Sequence, residues 1–252
     1  MLLSEARYRL EMLTCWKRME LCGNQKFMRD GDNEDRERHE ELLHDGGRLD
    51  VDGISHILHT LSDITEVNVD FYIQGAENIL LDINTAHNDL QISDARKTVS
   101  RSDRNQNHPK TPERFLYWSQ VLSSRRFSSR RHYWEVDVRG SDSWRVGMCY
   151  PSIDRRGQQS LIGYNKKSCG LDRTGNQFGV IHDSKCVPLP TNPSSNRVRI
   201  YLDYEAGRIS FYDLCDPIRH LHTFTTTFTE PLHAGVCVEK GCIKICRGKR
   251  EM

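Results

Sequence analysis

The chain has 252 residues, enough for one large β domain or two small domains. Its 36 Lys and Arg nearly cancel 35 Asp and Glu, so no global field selects a nucleic acid or a membrane. Nine cysteines without framework spacing, charged residues throughout "MLLSEARYRLEML" where a leader would need an apolar core, and no apolar run near ~20 residues predict a reduced, cytoplasmic chain that does not engage a membrane.

Met1 to Cys22 carries Leu3, Ala6, Leu10 and Leu13 at three–four spacing, which predicts an amphipathic helix over residues 1–23. The stripe spans two heptads and could serve as a coiled-coil tail for self-association. Residues 24–66 read as an acidic linker, with ten acidic and three basic residues between Asp30 and Asp52. A short helix is expected near Ile54 to Leu61, where Ile54, Ile57, Leu58 and Leu61 line one side.

From about Val67 the texture changes to short apolar–polar alternations separated by Gly, Asn, Asp, Ser and Pro. Trp134, Val136 and Val138 share one strand face; Trp144, Val146, Met148 and Tyr150 share another; Val198, Ile200, Leu202 and Tyr204 repeat the pattern. No helical period interrupts them, so the sheets should be antiparallel, and one apolar face per strand requires two sheets packed face to face. The expected class is a mostly β sandwich. Within it, "LDYEAGRISF" reads as strand, tight turn and strand, with Gly207 at a positive-φ position. Asp203 and Glu205 are therefore framework residues at a hairpin rather than a catalytic pair.

"HYWEVDV" (132–138), "SWRVGM" (143–148) and "LDYEAGRISFYD" (202–213) resemble, in order, three signature blocks of the SPRY domain. "ILLDINTAHNDLQISDARKTV" (79–99) resembles the PRY block that precedes SPRY in tripartite-motif (TRIM) and butyrophilin-type proteins. The resemblance implies a bent antiparallel sandwich of the concanavalin-like jelly-roll type, with a PRY-like part over 67–125 and a SPRY-like part over 126–247. It also implies a non-enzymatic protein-recognition module, the partner-binding end of a TRIM-like ubiquitin ligase or of a relative without the ligase parts. That assignment carries an expectation of the ubiquitin pathway and innate immunity. Residues 1–77 offer only Cys15 and Cys22 and no Cys/His series with zinc spacing, so no RING or B-box is expected there. Three departures stand out: Ile83 where the PRY block usually has proline, Arg130 where a turn glycine is common, and Cys169 where a tryptophan is usual.

By the same resemblance, loops at one end of the sandwich should bind a protein partner. Tyr150, Arg155, Arg156, Asp172, Arg173 and Thr174 are the expected contact residues, grouped in one polar patch. The competing function is RNA binding through Arg96 to Arg131, which holds ten basic and two acidic residues together with Phe115, Tyr117, Trp118 and Phe127. If those aromatics are core, the basic residues merely solvate loops. Cys237, Cys242, Cys246 and His233 lack zinc-site spacing, His220 and His222 lack a third ligand, and Cys149 and Cys215 lack an activating motif. No metal, cofactor or catalytic residue is expected. Cys169 and Leu171 should share a buried face, with a void where the smaller thiol replaces a tryptophan.

Overall fold

The computed structural model describes residues 76–246. The expected helix at 1–23, the linker and short helix within 24–66, and residues 67–75 lie outside the described residues.

Thirteen strands follow in chain order: β1 (Leu90–Ser93), β2 (Thr98–Arg101), β3 (Gln120–Phe127), β4 (Arg131–Asp137), β5 (Ser143–Cys149), β6 (Ser168–Thr174), β7 (Gln177–His182), β8 (Lys185–Pro188), β9 (Arg197–Asp203), β10 (Arg208–Asp213), β11 (Arg219–Thr225), β12 (Leu232–Lys240) and β13 (Cys242–Ile245). They form a seven-stranded sheet, β1-β2-β13-β4-β9-β10-β11, and a six-stranded sheet, β3-β12-β5-β6-β7-β8. Each pairing is antiparallel, as the absence of helical connections requires.

The alternation sets the core. Trp134 lies opposite Ile200 and Val136 opposite Val198, and all four are buried between the sheets. On the outer face of the same strands Glu135 faces Arg199 and accepts bonds from its Nε and Nη2 at 3.1 and 2.7 Å. Ile79, Leu81, Leu90, Val99 and Phe127 from the first third of the described chain join the same buried cluster as Val146, Leu171 and Ile243. β1 and β2 extend one sheet and β3 edges the other, so the two halves build one sandwich around a shared main core.

The β9–β10 hairpin has the expected form. Gly207 sits at φ 66°, and a Cβ there would lie 1.8 Å from the Thr226 carbonyl oxygen, so the position excludes side chains. Asp203 is buried, accepts the Ala206 N–H at 3.0 Å and pairs with Arg131 Nε at 3.0 Å. It is a framework residue, as predicted.

The six-stranded sheet departs from simple alternation. β5 is buried on both faces from Trp144 to Cys149. The outer face is covered by the long connection from β5 to β6, which contains a 3-10 turn at Gln158–Ser160. Ile153 from this connection packs with Phe115, Leu122 and Cys149 in a second small core. Ile162 presses on Gly235, where an added Cβ would meet its Cδ1 at 2.8 Å.

Candidate functional site

The six expected contact residues do not form one patch. β5 and β6 pair with Ser143 opposite Thr174 and Cys149 opposite Ser168. The connection that begins at Tyr150 therefore leaves one end of this pair, while the turn after Thr174 lies at the other. Six residue steps along the strands separate them, roughly 20 Å. Successive connections between consecutive antiparallel strands must alternate ends, and that geometry sets Tyr150 apart from Thr174.

Asp172 is a second correction. It belongs to β6 rather than to a loop, and it is buried. Its Oδ1 accepts from Arg145 Nε at 2.6 Å, and Arg145 is equally buried, with its guanidinium 5.1 Å from the Tyr164 ring. Asp172 neutralises a charge under the β5–β6 connection. Thr174 Oγ1 lies 3.5 Å from its other oxygen. Arg173 is half-buried and stacks 5.2 Å from the Phe178 ring.

At the other end, Tyr150 is half-buried and its Oη accepts the Thr229 N–H at 3.2 Å. It borders a narrow apolar groove of about 60 Å³ with Met148, Cys169, Phe224, Phe228 and Leu232. Cys169 is buried on the inner face with Leu171 and lines this groove. Arg155 stacks 4.5 Å over the Phe115 ring and donates to the Pro151 carbonyl at 3.1 Å. Burial holds its pKa below the usual guanidinium value. Arg156 is exposed.

A different surface gathers around this arginine segment. Ile83, Leu116 and Tyr117 are large apolar side chains exposed by 37%, 50% and 47%. Buried Arg114 ties their loops together: it donates to the Ile83 carbonyl at 3.0 Å, to the Pro109 carbonyl at 2.8 Å and to the Ala86 carbonyl. The Leu116 N–H donates to the Arg155 carbonyl at 2.9 Å, and Trp118 Nε1 donates to the Gln158 carbonyl at 3.0 Å. Three exposed apolar side chains thus flank a segment that carries exposed Arg156. Aromatic residues and arginine on a fixed apolar surface are the usual makings of a protein interface. Sequence reasoning passed over Leu116 and weighed Tyr117 only as part of the RNA-binding alternative. The available signal was "FLYW", four apolar residues in a row, which a one-sided strand cannot bury together.

The same stretch weakens the stacking platform that RNA binding would need. Phe115, Trp118 and Phe127 are buried, and of the four expected aromatics only Tyr117 is exposed. Several of the cations are engaged: Arg101 with Asp89 at 2.9 Å, Arg125 with Glu77 at 2.5 Å and Arg131 with Asp203 at 3.0 Å. Burial pushes the thiols of Cys149 and Cys169 up to about 12, which keeps both protonated and poorly nucleophilic. His220 stacks on Tyr212 and His222 on Phe224. Among the described residues no three His, Cys, Asp or Glu side chains gather as metal ligands. Among them, too, no helix is long and apolar enough to cross a membrane.

Comparison with known proteins matches residues 79–127 to the SPRY-associated domain (PRY) and residues 131–250 to the SPRY domain. The chain is 36% identical over 179 residues to tripartite motif-containing protein 14 of Mus musculus, covering 70% of this chain and 41% of that protein. It is 39% identical over 158 residues to butyrophilin subfamily 2 member A2 of Homo sapiens, covering 62% and 30%. It is 38% identical over 156 residues to nuclear factor 7, ovary, of Xenopus laevis, covering 62% and 25%. The chain thus spans less than half the length of these relatives. The TRIM65 PSpry domain superposes with a TM-score of 0.63 at 27% identity, covering 69% of this chain and 92% of that domain. Stonustoxin superposes with a TM-score of 0.63 at 32% identity, covering 68% and 29%.

Proposed function

Since the chain belongs to the PRY-SPRY family, we propose that it is a protein-recognition module whose contact surface centres on Leu116 and Tyr117, flanked by Ile83 and Arg156. The observation that carries this reading is the exposure of three large apolar side chains on loops held rigid by buried Arg114. Preformed loops lose little entropy on binding, and exposed apolar area beside a cation supplies the anchor that a polar loop alone lacks. The finer reading is that this module selects substrates for a TRIM-like ubiquitin ligase, or serves a relative without ligase parts, in the cytoplasm. The similarity to tripartite motif-containing protein 14 supports it. The proposed role is recognition, with no catalytic step assigned to the chain.

The test is co-purification from cells of the full chain and of a Leu116→Ser/Tyr117→Ser double variant. Both side chains are about half exposed, so the variant should fold with an unchanged melt. Partners recovered by the wild type should be lost by the variant and should survive ribonuclease. Partners retained by the variant, or removed by ribonuclease, would overturn the assignment.

A further inference from the structure

The basic stretch of the sequence ends in "RRFSSRR" (125–131), four arginines around two serines with no acidic residue. Arg125, Arg126, Ser128, Ser129 and Arg130 are exposed, whereas Phe127 is buried in the main core. Arg126 and Phe127 lie opposite His233 and Leu232 in the β3–β12 ladder, so this end of β3 is extended. Ser128 follows it directly. Exposure alternates through Arg126, Phe127 and Ser128, as it does where side chains two apart share a face about 6.5–7 Å from each other. Arg126 and Ser128 therefore project outward together, while Phe127 anchors the segment inward.

The fold leaves these outward groups unused. The hydroxyl of Ser128 makes no hydrogen bond among the described residues, and neither do the guanidinium groups of Arg126 and Arg130. Arg125 pairs with Glu77 at 2.5 Å and lies 5.1 Å from the Phe127 ring. β3 is an edge strand, and from Arg126 to Ser128 its open side makes no backbone hydrogen bond among the described residues.

The neighbouring serines differ. Ser123 is buried, and the Ser124 hydroxyl accepts from Arg96 at 3.5 Å. Ser129 belongs to the fastened turn: its carbonyl accepts from His132 Nε2 at 2.7 Å, and the next N–H, that of Arg130, is held by the Glu205 carboxylate. Ser128 alone among these four combines an exposed, unbonded hydroxyl with a place on the extended strand end.

We propose that Ser128 is a phosphoryl acceptor for a protein kinase with an acidic substrate cleft. Arginine pairs strongly with carboxylates through its planar fork. Arg125 and Arg126 present that group three and two residues before the acceptor, on an edge that an extended cleft can cover. In the transfer, Ser128 Oγ attacks the γ-phosphorus of MgATP, the bond from that phosphorus to the ADP oxygen breaks, and the hydroxyl proton passes to the kinase's catalytic carboxylate. The product carries about −1.5 to −2 charge and three acceptor oxygens, flanked in sequence by the unpaired Arg126 and Arg130. The assignment does not rest on the Leu116–Tyr117 surface.

The experiment incubates the folded full chain with MgATP and either the catalytic subunit of cyclic-AMP-dependent protein kinase, which has an acidic cleft, or casein kinase 2, which has a basic one. Tandem mass spectrometry maps the phosphate. The expected result is phosphate on Ser128 with the first kinase and none there with the second. Ser128→Ala should abolish it, and Arg126→Gln should lower kcat/KM about tenfold or more, roughly one 1.4 kcal/mol step. Both positions are exposed, so neither variant should change the melt. Should Arg126→Gln melt lower, Arg126→Lys gives the same test, since a point charge cannot reproduce the guanidinium fork. No phosphate on the folded chain, phosphate on Ser129 or another serine in place of Ser128, equal transfer by both kinases, or a rate indifferent to the Arg126 substitution would overturn the proposal.

Discussion

The backbone N–H of Arg130 donates to Glu205 Oε1 at 2.8 Å, and Arg130 itself sits at φ 67°. The turn between β3 and β4 is thereby fastened to the β9–β10 hairpin by a residue in the left-handed region. A side chain there carries a strain of ~1–2 kcal/mol that glycine avoids. Arg130→Gly should therefore raise the melting temperature, with the gain trimmed by the extra freedom of glycine in the unfolded chain. Glu205→Ala should lower it. The backbone bond from Arg130 also holds the Glu205 carboxyl below its usual value. A depressed carboxylate contributes stability that is present above the unfolded pKa and lost as pH falls through the folded one. The difference between wild type and Glu205→Ala should thus shrink in acid, and an unchanged difference at low pH would contradict this role.

Asp172 and Arg145 are both nearly sealed from solvent. Removing one partner strands the other's charge, which typically costs ~3–5 kcal/mol. Against a total of ~5–15 kcal/mol, Asp172→Ala should melt far below the wild type. A variant with an unaltered melt and lost partner binding would restore Asp172 as a contact residue.

Cys169 borders the apolar groove between the sheets. Cys169→Trp should fill part of it and raise the melting temperature under reducing conditions, by ~0.5–2 kcal/mol of added stability. A lower melt would mean that Met148 and Leu232 leave no room and that the larger ring overpacks the site.

Burial holds His87, His220, His222 and His233 below the usual histidine value. The unfolded chain then takes up protons first as pH falls. The stability involved is fully present above the unfolded value of ~6.5 and is lost as pH drops toward the folded values. Glu239, raised by burial, acts in the opposite sense above the usual carboxylate range. Four groups against one predict a lower melting temperature at pH 5.5 than at pH 7.5. His233→Gln, which keeps an N–H for the Ser123 carbonyl that His233 Nδ1 meets at 2.8 Å, should reduce that slope. A melting temperature that rises toward pH 5.5 would contradict the assignment.

Alternation and turn chemistry made much of the fold legible. Trp134, Val136, Val198 and Ile200 announce their inner faces by period alone, and Gly207 marks its turn because a side chain cannot fit there. The departure at Arg130 pointed to a left-handed position. What escaped depends on distant chain crossing local structure. Asp172 looks exposed because it alternates with buried residues, yet the β5–β6 connection covers that face and Arg145, 27 residues earlier, supplies its partner. The exposure of Leu116 and Tyr117 depends likewise on which of four adjacent apolar residues Thr85, Arg155 and Gln158 hold in place. The separation of the Tyr150 and Thr174 ends, by contrast, follows from chain order once β5 and β6 are paired.

Hydrogen exchange of the full chain with and without its co-purified protein partner tests the recognition surface most directly. The Leu116 amide, bonded to the Arg155 carbonyl, reports from its centre. The account predicts added protection over residues 83–86, 114–118 and 153–158 in the complex, absent with the Leu116→Ser/Tyr117→Ser variant. A stable complex that leaves these three segments unprotected would contradict it.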